Sequence, residues 1–166
     1  MDRPVKVYRS FVTVAGGILG ATCLAKLVSV FGSAEALTLP DALFGVQNRW
    51  VMLLAAFAEA AILGILVSKV TSLTKLVCIL WLSLNFAIYR ICLWLIGVTG
   101  PCPCMGNAYE LIGMNWVTMD RVLGGSVLVL LAGSGYLIGC HNLRNRRTRL
   151  GGTNQASAVA NVPSSA

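Results

Sequence analysis

The sequence predicts an all-α protein, a four-helix transmembrane bundle with both termini on the cytoplasmic side. Three observations lead to this fold class. Hydrophobic residues make up 57% of the chain and charged residues only 11%, about half the charged fraction of an ordinary soluble domain. The apolar residues gather in four long runs, and the basic residues lie mostly beside one end of those runs. Together these features predict an integral membrane protein.

Each apolar run approaches or exceeds the length of a membrane-spanning helix, which needs about 20 mostly apolar residues. The predicted spans are 10–31, 50–67, 76–98 and 122–140. They form one transmembrane domain, 10–143, which follows a short cytoplasmic segment, 1–9. The tail, 144–166, begins with arginines and continues with Gly, Ser, Ala and Asn, a composition that predicts a disordered end.

Basic residues in the loops indicate which way a membrane protein is oriented. The predicted cytoplasmic side carries nine of them: Arg3, Lys6, Arg9, Lys69, Lys75, Arg144, Arg146, Arg147 and Arg149. The opposite side carries only Arg49 and Arg121. The sequence therefore predicts that loops 32–49 and 99–121 face outward.

The start of the chain also has the pattern of a secretory signal peptide, since Arg3, Lys6 and Arg9 precede an apolar run. The run resumes beyond Lys26, however, and the residues before Cys23 fit a cleavage site poorly. We therefore expect an uncleaved first helix.

The net charge of +7 raises the alternative of a nucleic-acid partner. The basic residues lie at the ends of apolar runs, and no groove with alternating aromatic and basic residues is evident. The sequence thus favours membrane lipid as the partner and argues against nucleic acid.

Three charged residues, Lys26, Glu59 and Arg90, interrupt the apolar runs. A charge at mid-membrane costs about 3 kcal/mol on insertion scales, so such residues usually pair inside the bundle and mark function. At about 1.5 Å of rise per residue, all three lie in the outer half at similar depth. They are expected to form a cluster. It would be a structural ion pair, a polar site for a quinone headgroup, thiolate or other anion, or a set of side chains reaching the interface.

Two polar residues precede Arg90 on the third helix. Asn85 and Tyr89 are four residues apart and therefore share a helix face. They are candidate supporting residues, with the Tyr89 hydroxyl able to donate to a quinone oxygen. The sequence favours the alternative for Tyr89, an ordinary packing tyrosine.

The stretch "GPCPCMGN", 100–107, carries the candidate catalytic residues Cys102 and Cys104. A disulfide between residues this close forms a small ring with forced dihedrals. Strained, exposed disulfides tend to be labile, and the predicted side of the membrane is oxidising. The pair is therefore a candidate for thiol exchange. A metal site and a structural role are the alternatives, although no histidine or second cysteine pair lies nearby, and no metal ligand set is predicted.

These residues together resemble the MauE/DoxX group of bacterial membrane proteins. The resemblance covers about residues 10–140 and is carried by Lys26, Glu59 and the Cys-x-Cys-x-Gly pattern of Cys102, Cys104 and Gly106. It implies an architecture related to the quinone-linked disulfide enzymes DsbB and vitamin K epoxide reductase. It also implies a bacterial inner membrane, extracytoplasmic thiol–disulfide chemistry and quinone as a candidate cofactor.

The expected function is therefore a membrane component of extracytoplasmic thiol–disulfide exchange or maturation. In this hypothesis Cys102 or Cys104 forms a mixed disulfide with a periplasmic thiol protein, and Lys26 and Arg90 favour the thiolate. Whether the chain is itself an oxidoreductase is left open. The alternative is a non-enzymatic subunit or assembly factor that packs against other membrane subunits, with Lys26, Glu59 and Arg90 as a structural cluster.

Overall fold

The protein is an all-α four-helix bundle, and the computed structural model describes residues 3–31, 37–98, 113 and 115–160. Four helices make up most of these residues: α1 Arg3–Phe31, α2 Asn48–Val67, α3 Ser72–Leu95 and α4 Trp116–Ala160. Within the described ranges, extended pairing is limited to an isolated bridge between Pro40 and Gln47.

All four helices are long and apolar enough to cross a membrane, as the sequence predicted. The spans by length and composition are Lys6–Phe31, Asn48–Val67, Ser72–Leu95 and Val117–Leu143. Large apolar side chains point away from the bundle, including Phe57, Trp81, Trp94 and Leu128. Such an outward apolar surface is unfavourable in water and favourable in lipid.

The helices differ from the predicted spans mainly at the two chain ends. Hydropathy marks the apolar part of a helix, whereas backbone hydrogen bonding continues through polar residues that favour helix. Helix α4 runs on through the arginine-rich segment, whose residues favour helix, and continues to Ala160 through Gly151 and Gly152, whose helix propensity is low. No proline interrupts the chain between Trp116 and Pro163. The prediction of a disordered tail is thus wrong for 151–160, while 161–166 lie outside the described residues.

Short sequence signals set the helix ends inside the bundle. The Thr71 side chain accepts a hydrogen bond from the backbone N–H of Thr74 and so caps the start of α3. Gly97 follows the end of α3 with φ of 79°, a left-handed conformation that glycine adopts at little cost. The side-chain oxygen of Asn115 accepts from the N–H of Val117 at the start of α4.

The bundle consists of two antiparallel helix pairs, because α1 packs mainly against α2 and α3 mainly against α4. Basic side chains link consecutive helices at their carbonyl ends. Arg49 donates to the Val30 carbonyl at 2.8 Å, and Lys75 donates to the Leu66 carbonyl at 2.6 Å. A cation at a helix C-terminus satisfies carbonyls that lack an intrahelical partner. We name the two ends of the bundle after the connections described there, the 37–47 end and the 68–71 end.

The core lies between the pairs, towards the 68–71 end. Its buried members come from all four helices: Ala15, Leu19, Ile62, Leu66, Ile79, Leu82 and Leu130. Two buried serines, Ser83 and Ser134, donate their hydroxyls to carbonyls of their own helices. Neither hydroxyl therefore requires a partner on another helix. The two pairs therefore meet through apolar packing in this half of the bundle.

Helices α1 and α4 approach each other closely at Gly133. A Cβ atom added to Gly133 would lie 2.3 Å from the nearest ring atom of Phe11, so the ring occupies the space of the absent side chain. Small residues allow such close approach of helices in membranes. Gly133 thus fixes where α1 meets α4.

We expect Gly133→Ala to destabilise the protein by about 1–3 kcal/mol, because the Phe11 ring must shift to admit the methyl group. Thermal unfolding in detergent micelles measures the loss. Gly135→Ala is the matched control, since a Cβ at Gly135 meets nothing within 4 Å. Combining Gly133→Ala with Phe11→Leu should recover part of the stability. Equal stability of the two alanine variants would contradict the proposed contact.

Candidate functional site

A partly open cavity of about 60 Å³ lies between the two helix pairs, in the half of the bundle nearer the 37–47 end. All four helices contribute to it, although α2 contributes only Glu59. The lining residues are Ile18, Leu19, Thr22, Lys26, Glu59, Phe86, Tyr89, Arg90, Leu123, Ser126, Val127 and Leu130. The three charged residues singled out in the sequence therefore line one cavity.

Lys26 and Glu59 form a buried ion pair between α1 and α2. Lys26 Nζ donates to Glu59 Oε1 at 2.6 Å, and the two residues are 4% and 1% exposed. Thr22, one turn before Lys26, donates its hydroxyl to the same oxygen at 3.1 Å. The Lys26 ammonium also lies 5.2 Å from the centre of the Phe86 ring, within cation–π range. The predicted contact of Glu59 with a cation is thus confirmed.

The second carboxylate oxygen of Glu59 is in a different situation. Oε2 is buried and has no hydrogen-bond partner among the described residues. Both described donors, Lys26 and Thr22, converge on Oε1. A buried acceptor without a donor costs about 1–3 kcal/mol, and more if it is charged. The site therefore contains one unmet acceptor.

Arg90 does not pair with Glu59, although it lines the same cavity. Its guanidinium donates to Asp120 Oδ1 of α4 at 2.7 Å and lies near the Asp120 carbonyl at 3.3 Å. The reason is the helix pairing: α3 packs mainly against α4, so the nearest carboxylate to Arg90 comes from α4. The expected cluster of two cations and one carboxylate is therefore two separate ion pairs, one within each helix pair.

Gly124 helps to place this second pair. A Cβ atom at Gly124 would lie 3.6 Å from Arg90 Nη2, in ordinary contact distance. The Arg90 and Asp120 side chains are about a quarter and a third exposed, respectively. Asp120 was not predicted as a site residue. Asp120 lies at the start of the last apolar run, eight residues before Leu128. This position was the feature of the sequence that indicated that its side chain could reach the bundle.

Tyr89 joins the cavity wall to the connection between α1 and α2. Its hydroxyl donates to Asp41 Oδ2, and its ring stacks on Phe44 with centroids 6.1 Å apart. Asp41 is itself buried, and its Oδ1 accepts from the N–H groups of Leu43 and Phe44. The 37–47 segment therefore contains a turn organised by Asp41 and is attached to the cavity-lining Tyr89. Asp41 was not predicted as a site residue.

The supporting role predicted for Asn85 does not fit its position. Asn85 is exposed, and its side chain donates to the Trp81 carbonyl of its own helix at 2.7 Å. It is not among the residues that line the cavity. The four-residue spacing places Asn85 and Tyr89 on one side of α3, but Asn85 is exposed and Tyr89 is half-buried.

The cysteines divide into those that the structure describes and those that it does not. Cys102 and Cys104 lie outside the described residues. Cys23, Cys78, Cys92 and Cys140 are free thiols. Cys23 is buried beside the ion pair, and its thiol donates to the Ala56 carbonyl at 3.5 Å. Among the described residues, no group of three or more His, Cys, Asp or Glu is arranged to hold a metal ion.

Comparison with protein-family models, with curated proteins and with solved structures finds no match to this chain.

We expect Glu59→Leu to destabilise the protein by about 3–5 kcal/mol, because it leaves the Lys26 ammonium buried without its carboxylate. Thermal or denaturant unfolding in micelles measures the change. The double variant Lys26→Met with Glu59→Leu is the matched control and should be clearly more stable than Glu59→Leu alone. The single variant Lys26→Met completes the comparison. If the loss of stability in the double variant equals the sum of the losses in Lys26→Met and Glu59→Leu, the two side chains do not interact.

Tyr89→Phe should loosen the 37–47 turn while leaving the bundle intact. The change keeps the ring that stacks on Phe44 but removes the donor to the buried Asp41 carboxylate, a loss of about 1.5–3 kcal/mol. Hydrogen exchange should become faster at the amides of Leu43 and Phe44, whose acceptor is the same carboxylate. Exchange in the middle of α2 should not change. Unaltered exchange in the turn would show that Tyr89 does not hold it.

Proposed function

We propose that this protein is an integral membrane component of thiol–disulfide exchange, with Cys102 and Cys104 as the reacting pair. The observation that carries the proposal is where this pair is attached to the bundle. Helix α3 ends at Leu95, and the described chain continues to Val98. Helix α4 begins at Trp116. Both points lie at the 37–47 end of the bundle, in the half that contains the cavity. Cys102 follows Val98 by four residues, which limits their separation to about 14 Å.

The bundle supplies a rigid base for such a segment. The Arg90–Asp120 ion pair links the last turns of α3 to the first turns of α4, directly beside the two points where the segment is attached. The Lys26–Glu59 ion pair does the same for α1 and α2. A reactive pair between fixed attachment points can meet a partner protein without unfolding of the helices.

The exchange itself balances in thiols and electrons. A thiolate of the partner attacks the Cys102–Cys104 disulfide, forms a mixed disulfide with one cysteine and releases the other as a thiolate. A second partner thiol then resolves the mixed disulfide. The partner gains a disulfide, and two electrons and two protons reside on the Cys102–Cys104 dithiol. The reverse sequence reduces a partner disulfide.

Lys26 and Arg90 are not assigned a part in activating the thiolate. Lys26 is paired with a carboxylate at 2.6 Å and Arg90 with one at 2.7 Å. The paired carboxylates weaken the attraction that either cation would exert on a thiolate. The exchange in this proposal depends on the small ring and on access to the partner. In keeping with the charge of the loops, the 37–47 end faces away from the cytoplasm, and the membrane is the bacterial inner membrane.

A second candidate function is a non-enzymatic subunit or assembly factor. The observation that favours it is that each ion pair joins the two helices of one helix pair. Ion pairs in such positions are expected to fix the register of the two helices. In that case the outward apolar faces bind another membrane protein, and the cysteines are not exchanged. A quinone cofactor, implied by the resemblance, would belong to the first candidate.

The test is to trap the mixed disulfide in cells that express Cys102→Ser or Cys104→Ser. At least one variant should accumulate a higher-mass adduct that disappears on reduction, because the remaining thiolate attacks a partner disulfide and the other cysteine of the pair is not there to resolve the mixed disulfide. Cys140→Ser is the control, since Cys140 is an exposed thiol towards the other end of the bundle, and it should give no adduct. The double variant Cys102→Ser with Cys104→Ser should also give none.

The trapped partner is identified by mass spectrometry after non-reducing purification. If neither single variant forms an adduct, although both are folded and inserted, thiol exchange is wrong and the subunit function takes its place. An adduct that persists in the double variant would assign the thiol to another cysteine.

A further inference from the structure

The cavity between the helix pairs contains a hydrogen-bond acceptor that the described part of the protein does not satisfy. Glu59 Oε2 is buried without a donor, while Lys26 and Thr22 both donate to Oε1. Rotation of the carboxylate by a half-turn exchanges the two oxygens, so one of them lacks a donor in either orientation. Any molecule that relieves this site must bring a donor.

The charges around the cavity are already balanced. Lys26 is paired with Glu59, and Arg90 is paired with Asp120. A bound anion would have to compete with a carboxylate for its cation, and a bound cation would have to compete with Lys26 or Arg90. Moving an unpaired charge into such surroundings is costly. The balance therefore favours a neutral ligand.

The remaining wall of the cavity is apolar. It is formed by Ile18 and Leu19 of α1, Phe86 of α3, and Leu123, Val127 and Leu130 of α4. Helices α1 and α4 meet at Phe11 and Gly133. Phe11 lies about two turns from Ile18 of the cavity, and Gly133 lies within about one turn of Leu130. The volume of about 60 Å³ exceeds the roughly 15 Å³ that one water molecule requires. A polar headgroup fits beside Glu59 with an apolar body along the α1–α4 seam.

We propose that this cavity binds a neutral, lipid-soluble molecule whose hydroxyl group donates to the Glu59 carboxylate. The ligand hydroxyl donates to Glu59 Oε2, which has no donor among the described residues. The apolar part of the ligand packs against α1 and α4, and the ligand brings no charge into the cavity. An oxidised quinone does not fit this demand, because its carbonyl oxygens are acceptors like Glu59 Oε2. A fatty acid anion does not fit it either, because Lys26 and Arg90, the described cations that line the cavity, are already paired with carboxylates.

The test uses decanol that carries a diazirine on its chain, with the purified protein in detergent micelles. Irradiation should label residues that line the cavity, identified by peptide mass spectrometry. Unlabelled decanol should compete, and its methyl ether should compete about tenfold less well, because it has the same chain but no donor. Decanoate should also compete less well than decanol.

Two variants on α4 provide the matched control. Val127→Phe places a ring in the cavity and should abolish the labelling, whereas Val129→Phe adds the same ring at an exposed position and should leave it unchanged. Size-exclusion chromatography establishes that both variants are folded. The double variant Cys102→Ser with Cys104→Ser should be labelled normally, so this test is independent of the proposed thiol exchange.

Equal competition by decanol and its methyl ether would overturn the proposal, since the donor would then be irrelevant. Stronger competition by decanoate would overturn the charge argument and with it the proposal. Labelling that survives Val127→Phe in the folded protein would place the probe on the lipid-facing surface and not in the cavity.

Discussion

The buried ion pair of Lys26 and Glu59 is the contact on which the rest of this bundle depends. Two charges leave water only if each is compensated, and here a single 2.6 Å contact between α1 and α2 does so. The contact fixes the register of the two helices, since neither side chain can slide past the other without becoming unpaired. It also places a polar wall deep inside an otherwise apolar structure.

The second helix pair follows the same rule with different residues. Arg90 takes Asp120 from α4, and Tyr89 takes Asp41 from the 37–47 turn. The Arg90–Asp120 contact lies within the second helix pair, whereas the Tyr89–Asp41 contact joins α3 to the connection between α1 and α2. Between the pairs lies a cavity lined by both ion pairs' cations, in which Glu59 Oε2 has no donor among the residues that the structure describes. The pairing of the helices has produced the site.

This arrangement bears on the two candidate functions in different ways. Closed ion pairs make a stiff frame, which suits both a platform for a reactive dithiol and a subunit that packs against a larger assembly. They argue against direct electrostatic activation of a thiolate by Lys26 or Arg90, because both cations are already neutralised. In the proposed exchange, the reactivity of Cys102 and Cys104 would depend on the small ring that they close and on the partner.

The sequence by itself determined the all-α class, the four apolar helices and the pairing of Glu59 with a cation, because run length and the cost of a charge in lipid are local properties. It placed α4 too short, since hydropathy does not report where helical hydrogen bonding ends. Only the tertiary structure decided that Arg90 binds Asp120, that Asp41 binds Tyr89 and that Asn85 lies outside the cavity. Those outcomes depend on which helices are neighbours, and depth along each helix carries no information about that.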